Sequence, residues 1–376
     1  VGNIGQYAFQ NCSSLENVTI KNNGTIGLKA FEGSSKRNPA TYVICNVGLI
    51  DKSAFANCSA IKTLLVDTCV GNIGQYAFQN CSSLENVTIK NNGTIGLQAF
   101  ESSSTENPAT YVISNVGLID ESAFANCTKL QKVRLGNQVG NINQRAFYNC
   151  VLLDSLTLPN SVKTLGASVF YNCNDLAFVQ LSNTLSSIGN AAFDRCSSLP
   201  KIFIPKSVSS IGEGAFNQCT SLSVIGFEDG TSPLSLGRDS INRGLFYDCP
   251  LDSVYIGREL TFQKTEAYGY SPFYRSPTLR SIVISDVPSK VETNEFYGCT
   301  KLYYVHIGNG TQSIGDYAFS GCSSIDYFSF GFQVQTIGAE AFSDCVAMTR
   351  LYSYCYQPFL IRSLSHLQVY IRKLYH

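Results

Sequence analysis

Ile4-Gly5-Gln6-Tyr7-Ala8-Phe9-Gln10-Asn11-Cys12-Ser13-Ser14-Leu15-Glu16-Asn17-Val18-Thr19-Ile20 decides the fold. Its last three residues alternate apolar, polar, apolar, the period of a strand in which Val18 and Ile20 share one face and Thr19 takes the other. Its first six read as a turn entering a short helical or 3₁₀ segment that drops Phe9 into the interior, with Ala8 small enough to leave room. A single unit of this size cannot bury Ile4, Phe9, Leu15, Val18 and Ile20 alone. The stretch therefore requires neighbours of its own kind.

Those neighbours follow. Phenylalanine anchors stand at Phe9, Phe31, Phe55, Phe78, Phe100, Phe124, Phe147, Phe170, Phe193, Phe216, Phe246, Phe273, Phe296, Phe319 and Phe342, mostly 22 to 24 residues apart. Five positions before each is an apolar residue, as at Ile4, Ile26, Ile50 and Ile73, with Leu165, Tyr268 and Val291 as substitutes. Downstream come a cysteine, a leucine and an alternating pair, as in Cys196, Leu199, Ile202 and Ile204. Spacings of 30 and 27 residues around Phe246, with turn residues Glu228-Asp229-Gly230-Thr231-Ser232-Pro233, place insertions near 228–241 and 257–268. Val1 to Leu28 is identical to Val70 to Leu97, exposed positions included, which marks a block duplication. The pattern predicts an α/β-type repeat solenoid of about fifteen coils over 1–352, with a parallel β-sheet on one side and short helical, 3₁₀ or loop segments on the other. A capping segment at 353–376 is expected to close it, with Leu367, Val369 and Ile371 alternating as a final strand. The chain opens inside a repeat with no polar cap, which predicts further sequence upstream.

Composition narrows the partners. The 27 basic and 27 acidic side chains of the 376 residues cancel, so no broad attraction to nucleic acid or anionic lipid is built in. Hydrophobic residues make up 44% of the chain, yet no apolar run nears the roughly 18 residues of a membrane span. No phosphate-cradling glycine loop, Gly-x-Ser-x-Gly elbow, His-Glu-x-x-His helix or EF-hand loop occurs, so no catalytic residue and no cofactor are assigned and the protein is not expected to be an enzyme.

Twelve of the fifteen cysteines, Cys12, Cys58, Cys81, Cys127, Cys150, Cys173, Cys196, Cys219, Cys249, Cys299, Cys322 and Cys345, fall three residues after a phenylalanine, with Ser34, Ser103 and Ser276 filling the gaps. A column in register reads as a ladder of small buried thiols, since parallel Cβ vectors disfavour the disulfide torsion. No metal site is expected: no Cys-x-x-Cys pair occurs, and the histidines are His306, His366 and His376. Cys45, Cys69 and Cys355 stand off the column. Of the Asn-x-Ser/Thr sequons, those at Asn11, Asn57, Asn80 and Asn126 sit in a structural turn, where the asparagine is expected to bond backbone groups rather than carry sugar.

The pattern Ile-Gly-x-x-Ala-Phe-x-x-Cys-x-x-Leu-x-x-Val-x-Ile, as at Ile211 to Phe227 or Ile314 to Phe330, resembles the BspA-type leucine-rich repeat family over about 95% of the chain. That resemblance implies a curved, right-handed leucine-rich repeat array with its sheet concave. It also implies a surface or secreted protein that adheres to host or neighbouring cells. The rival reading is a cytoplasmic scaffold that uses the same solenoid for assembly.

A ligand would sit where the repeats differ. The residue between the two inward strand positions reads Thr19, Val43, Leu65, Thr88, Val112, Arg134, Thr157, Gln180, Phe203, Gly226, Tyr255, Val283, His306, Ser329 and Tyr352. Aromatic residues gather late in that series, and Phe178, Tyr304, Tyr327 and Arg350 flank it. Tyrosine and arginine are enriched at binding hot spots. A protein or glycan of a cell surface or matrix is therefore expected on the concave face, contacting Phe178, Phe203, Tyr255, Tyr304, His306, Tyr327, Arg350 and Tyr352.

Overall fold

A computed structural model describes residues 2–237, 244–262, 271–287, 289–353 and 360–361. The chain forms two compact units, Val1–Leu199 and Pro200–His376. Each is a parallel-strand β-solenoid of the leucine-rich-repeat type, and the chain has about 14 turns in all.

In the N-terminal unit eight longer strands, from Asn17–Lys21 and Ala40–Cys45 to Ser155–Thr157 and Phe178–Gln180, hydrogen-bond side by side in chain order. In the C-terminal unit seven do the same, from Lys201–Ile204 and Val224–Phe227 to Tyr327–Phe330 and Arg350–Ser353. All pairs are parallel, and the register stacks like on like: Val18 faces Tyr42 and Ile20 faces Ile44, while Ile204 faces Phe227 and Phe227 faces Ile256. From the second coil onward the described inward residues are buried, apart from the half-buried Leu135, whereas Thr19, Val43 and their equivalents take the opposite face. Alternation in the sequence thus becomes a sheet with one dry side.

Among the described residues from Ile26 onward, the apolar residue five before the phenylalanine lies in a second run of short parallel strands, such as Thr25–Ile26 paired to Leu49–Ile50, rather than in a plain turn. Between them the phenylalanines form a stacked spine. Ring centroids are 5.0 Å apart for Phe31 and Phe55 and 4.9 Å for Phe78 and Phe100 in the first unit, and 5.5 Å for Phe319 and Phe342 in the second. The cysteine ladder is also present. Each buried thiol donates to the phenylalanine carbonyl of the preceding coil, as Cys81 to Phe55 at 3.3 Å and Cys322 to Phe296 at 3.2 Å. The fourteen cysteines among the described residues are all free, and Cys355 lies outside those residues. Burial pushes the thiols up, to about 12 at Cys58, Cys127 and Cys173.

The expected helical or 3₁₀ segment is not there: among the described residues the structure has no helix. The segment around each phenylalanine is a run of turns in which successive amides face opposite ways. Ala54 and Ala56 donate to Asp51 and Ser53 within the coil, whereas Ser53, Phe55 and Asn57 donate to Gln75, Ala77 and Gln79 of the next. A helix would need every amide within its own coil. Positive φ two residues before and two after the phenylalanine enforces the alternation, as at Ser53 (54°) and Asn57 (60°), or Arg145 (54°) and Asn149 (58°). Asparagine recurs at the second position because it tolerates the left-handed region. Its side chain builds a ladder instead of capping its own turn: Asn80 donates to Asn57 at 3.0 Å and Asn172 to Asn149 at 2.7 Å.

Where a strand residue is large, the column beside it changes. Tyr42 and Tyr111 replace the aliphatic residue on the inward face, and Ser34 and Ser103 replace cysteine. The serine hydroxyls meet the buried phenols at 2.9 Å and 2.8 Å, with Ser35 and Ser104 as second partners at 2.8 Å and 2.9 Å. A buried hydroxyl without a partner would be costly, so the exchanges come as a set.

The expected insertions fall partly outside the described residues, at 238–243 and 263–270, which include Tyr268. The capping segment does so apart from Ser353 and the strand Leu360–Ile361.

Candidate binding surface

Seven of the eight residues read from sequence lie on the long-strand sheet of the C-terminal unit, and Phe178 lies on Phe178–Gln180 of the N-terminal unit, where it is 49% exposed. The outward column is in register: Phe203 faces Gly226, Gly226 faces Tyr255, Tyr255 faces Val283, Val283 faces His306, His306 faces Ser329 and Ser329 faces Tyr352. One inward residue on each side fixes each of these positions, so the face is rigid although its side chains are unlike.

The column holds two clusters. In the first, the Phe203 ring lies across Gly226: a Cβ there would sit 2.6 Å from Cδ1 and 2.8 Å from Cε1. Glycine is what lets the ring come down on the sheet, and the ring is still 60% exposed. Beyond Gly226, the half-buried Tyr255 donates its hydroxyl to Asp229 Oδ1 at 2.6 Å. That bond to a carboxylate raises the phenol above its ordinary value and keeps it a donor.

In the second cluster Tyr304 is 41% exposed and His306 is exposed. Arg350 is paired across the sheet with Tyr327, and its guanidinium lies over that ring at 6.0 Å. Tyr352 is half-buried. Tyr303, 56% exposed and one residue ahead of its strand, belongs with them. The alternation rule skips it because it applies only inside the strand.

The first insertion is tied down by a group that sequence reasoning missed. Arg258 is buried, and Nη1 and Nη2 donate to the carbonyls of Lys206 (2.9 Å), Val208 (2.8 Å) and Pro205 (3.0 Å), two coils back. Glu228 accepts from the Lys206 amide at 2.8 Å. Burial lowers the guanidinium and the Glu228 charge opposes the shift, so it remains a cation. Gly257 just before it allows close approach, since a Cβ would lie 2.4 Å from the Phe227 carbonyl oxygen. The turn that carries Asp229 to Tyr255 is held by its own backbone, Glu228 donating to Ile204 at 2.9 Å and Gly230 to Gly257 at 3.0 Å. A lone arginine in the residues after a strand was the available signal.

The turn side carries aromatic residues that were likewise missed. Tyr148 and Tyr171 stack at 4.8 Å, with Arg145 at 6.0 Å from the first ring and Arg195 at 5.5 Å from the second. Their signal is position: each tyrosine directly follows an anchor phenylalanine. Among the described residues no group of three or more histidine, cysteine or acidic side chains is placed to hold a metal, and no helix is long and apolar enough to cross a membrane.

Stacked parallel strands, a phenylalanine spine and a varied outer column define a leucine-rich repeat protein. Residues 2–131, 107–223, 140–272 and 266–353 match the BspA type Leucine rich repeat region, in six copies, and the chain belongs to that family. Family and fold are of a generally non-enzymatic, binding type. A comparison with curated proteins returns no match. Among solved structures, the chain is similar to a leucine-rich repeat protein from Bacteroides ovatus, at 23% identity over 81% of this chain and 82% of that one, with a TM-score of 0.44. It is also similar to the T. pallidum Leucine Rich Repeat protein, at 26% identity over 57% and 82%, TM-score 0.36. The pneumococcal vaccine antigen PcpA is similar at 17% identity over 94% and 80%, TM-score 0.38.

Proposed function

We propose that the outward face of the long-strand sheet in the C-terminal unit recognises a protein or glycan of a cell surface or matrix, and that the protein acts at the cell surface or after secretion, without catalysis. One observation carries this reading. The inward columns of both units stack in the same way, yet the outward column holds no ring in one unit, reading Thr19, Val43, Leu65, Thr88, Val112, Arg134, Thr157 and Gln180, and holds exposed Phe203, with Tyr255, His306 and Tyr352, in the other. Stacking does not require those rings, because the first unit stacks without them. Leaving apolar rings in water forgoes roughly 25 cal/mol for each Å² not buried. Recognition supplies a reason for them, and Tyr327 with Arg350 adds the residue types that dominate hot spots. Membership of the BspA type supports the extracellular setting that the resemblance implied.

Joint replacement of Phe203, Tyr255 and Tyr352 by alanine tests the surface. Binding to immobilised matrix proteins and to a glycan array is expected to fall below detection, with thermal stability lowered by at most a few kcal/mol. Unaltered binding by a folded triple variant would remove the proposal. Protease treatment of intact cells tests the setting: the protein should be lost, and full protection would place it inside.

A further inference from the structure

We infer that Phe203, with Tyr255 and Asp229 beside it, forms a subsite for a neutral pyranose at the end of a glycan chain. The inference rests on the recognition reading above and narrows it to one ligand class at one place.

The first support is the shape of the platform. Gly226 removes the side chain that would prop the ring up, so Phe203 lies with one face on the sheet and the other toward solvent, 60% exposed. A protein hot spot is a desolvated pocket that encloses an apolar side chain. An open ring can cover only one side of its guest, and such a guest must be apolar on one face and polar around its rim. A pyranose has that form: its axial C–H groups present an apolar, weakly positive face to the negative face of an aromatic ring, and its hydroxyls radiate outward.

The second support is the polar group at the platform's edge. Tyr255 stands one strand beyond Gly226, and its hydroxyl is already committed to Asp229 Oδ1 at 2.6 Å. The Asp229 carboxylate is exposed, and an ionised carboxylate offers about four lone-pair sites, so one phenol leaves room for sugar hydroxyls. Ser285 is the other side-chain neighbour of the phenol. These groups do not need to be gathered by the ligand, because the turn bearing Asp229 is held by backbone bonds from Glu228 to Ile204 (2.9 Å) and from Gly230 to Gly257 (3.0 Å) and by the Glu228 carboxylate on the Lys206 amide. A rigid carboxylate of this kind orients a ligand at low entropic cost.

The third support is charge. Asp229 and Asp286 both lie toward the Tyr255 hydroxyl. Two carboxylates disfavour sialic and uronic acids and leave neutral hexoses and N-acetylhexosamines as guests.

Saturation-transfer NMR on the full chain, with oligosaccharides ending in glucose, galactose, mannose, N-acetylglucosamine, sialic acid or glucuronic acid, provides the test. Transfer is expected to the C–H protons of at least one neutral terminus and to neither acid. Phe203→Ala should weaken that binding at least tenfold, and Gly226→Ala should also weaken it by lifting the ring. Asp229→Asn should weaken it, while Tyr148→Ala, on the turn side, leaves it unchanged. Circular dichroism checks that each variant is folded. The inference is overturned if no neutral sugar binds, if the acids bind equally well, or if Phe203→Ala has no effect on a sugar that does bind. If sugars fail while matrix-protein binding is still lost in the triple alanine variant, the recognition surface stands and only the ligand class falls.

Discussion

The first and fourth coils are the same 28 residues, Val1 to Leu28 and Val70 to Leu97, in two different settings within one unit. Their backbones agree: φ is 59° at Tyr7, Tyr76, Asn11 and Asn80 alike, and Phe9 and Phe78 each donate to the next coil at 2.7 Å. Their burial does not. Phe9 is 42% exposed and Phe78 is 0%, and Cys12 is exposed where Cys81 is buried. The fourth coil has the third beneath it, and that neighbour receives the Cys81 thiol at Phe55 and the Asn80 amide at Asn57. A coil therefore carries its own conformation and borrows its core, which is the physical meaning of stability shared between neighbours in a repeat array.

This contrast is open to attack. The largest effect is expected from the phenylalanine spine. In a chain of these 376 residues, Phe78→Ala should lower unfolding free energy by about 3–5 kcal/mol, and Phe9→Ala by about half as much, because less area leaves water there. Denaturant titration of the two variants reads the difference, and equal losses would show that identical sequence carries equal stability whatever covers it.

A smaller effect is expected in the second coil, where the inward tyrosine depends on serines that the fourth coil lacks. Joint Ser34→Ala and Ser35→Ala should cost about 1–3 kcal/mol by orphaning the Tyr42 hydroxyl. Adding Tyr42→Phe should recover most of that loss. Failure to recover would mean the serines matter for packing rather than for the hydroxyl.

At neutral pH the thiols contribute no pH dependence, and their effect appears only in alkali. Buried thiols raised to about 12, such as Cys58, Cys127 and Cys173, stay protonated in the fold while those of the unfolded chain ionise near 9. Their stabilisation is complete below pH 9 and is lost as pH climbs toward 12, by about 1.4 kcal/mol per unit for each thiol. Thermal melts from pH 8 to 11 should fall steeply, and Cys173→Ala should flatten the slope by one thiol's share. In a chain of these same 376 residues Cys12 should react with a thiol reagent while Cys81 does not.

Much of this was readable in advance because stacking repeats every constraint. Any residue that must meet its own counterpart recurs at a fixed interval, so the spine, the thiol column and the outward column from Thr19 to Tyr352 could all be aligned by eye. The turns were misread because Ile4-Gly5-Gln6-Tyr7-Ala8-Phe9 contains local i-to-i+3 bonds, as a short helix would, and the amides that cross to the next coil leave no local trace. Tyr42 with Ser34, Asn80 with Asn57, and Arg258 with Pro205, Lys206 and Val208 were hidden for the same reason: each pair is distant in the chain.

The sequence by itself determined the repeat, the parallel strands, the buried columns and the face left free to vary, since each follows from alternation and from an apolar surface that one coil cannot bury. Tertiary structure alone decided which amides turn to the next coil, which carbonyls the buried Arg258 reaches, and that the Phe203 ring lies down on Gly226 beside a Tyr255–Asp229 pair. Those outcomes depend on distances between side chains from different coils, and no period in the sequence records them.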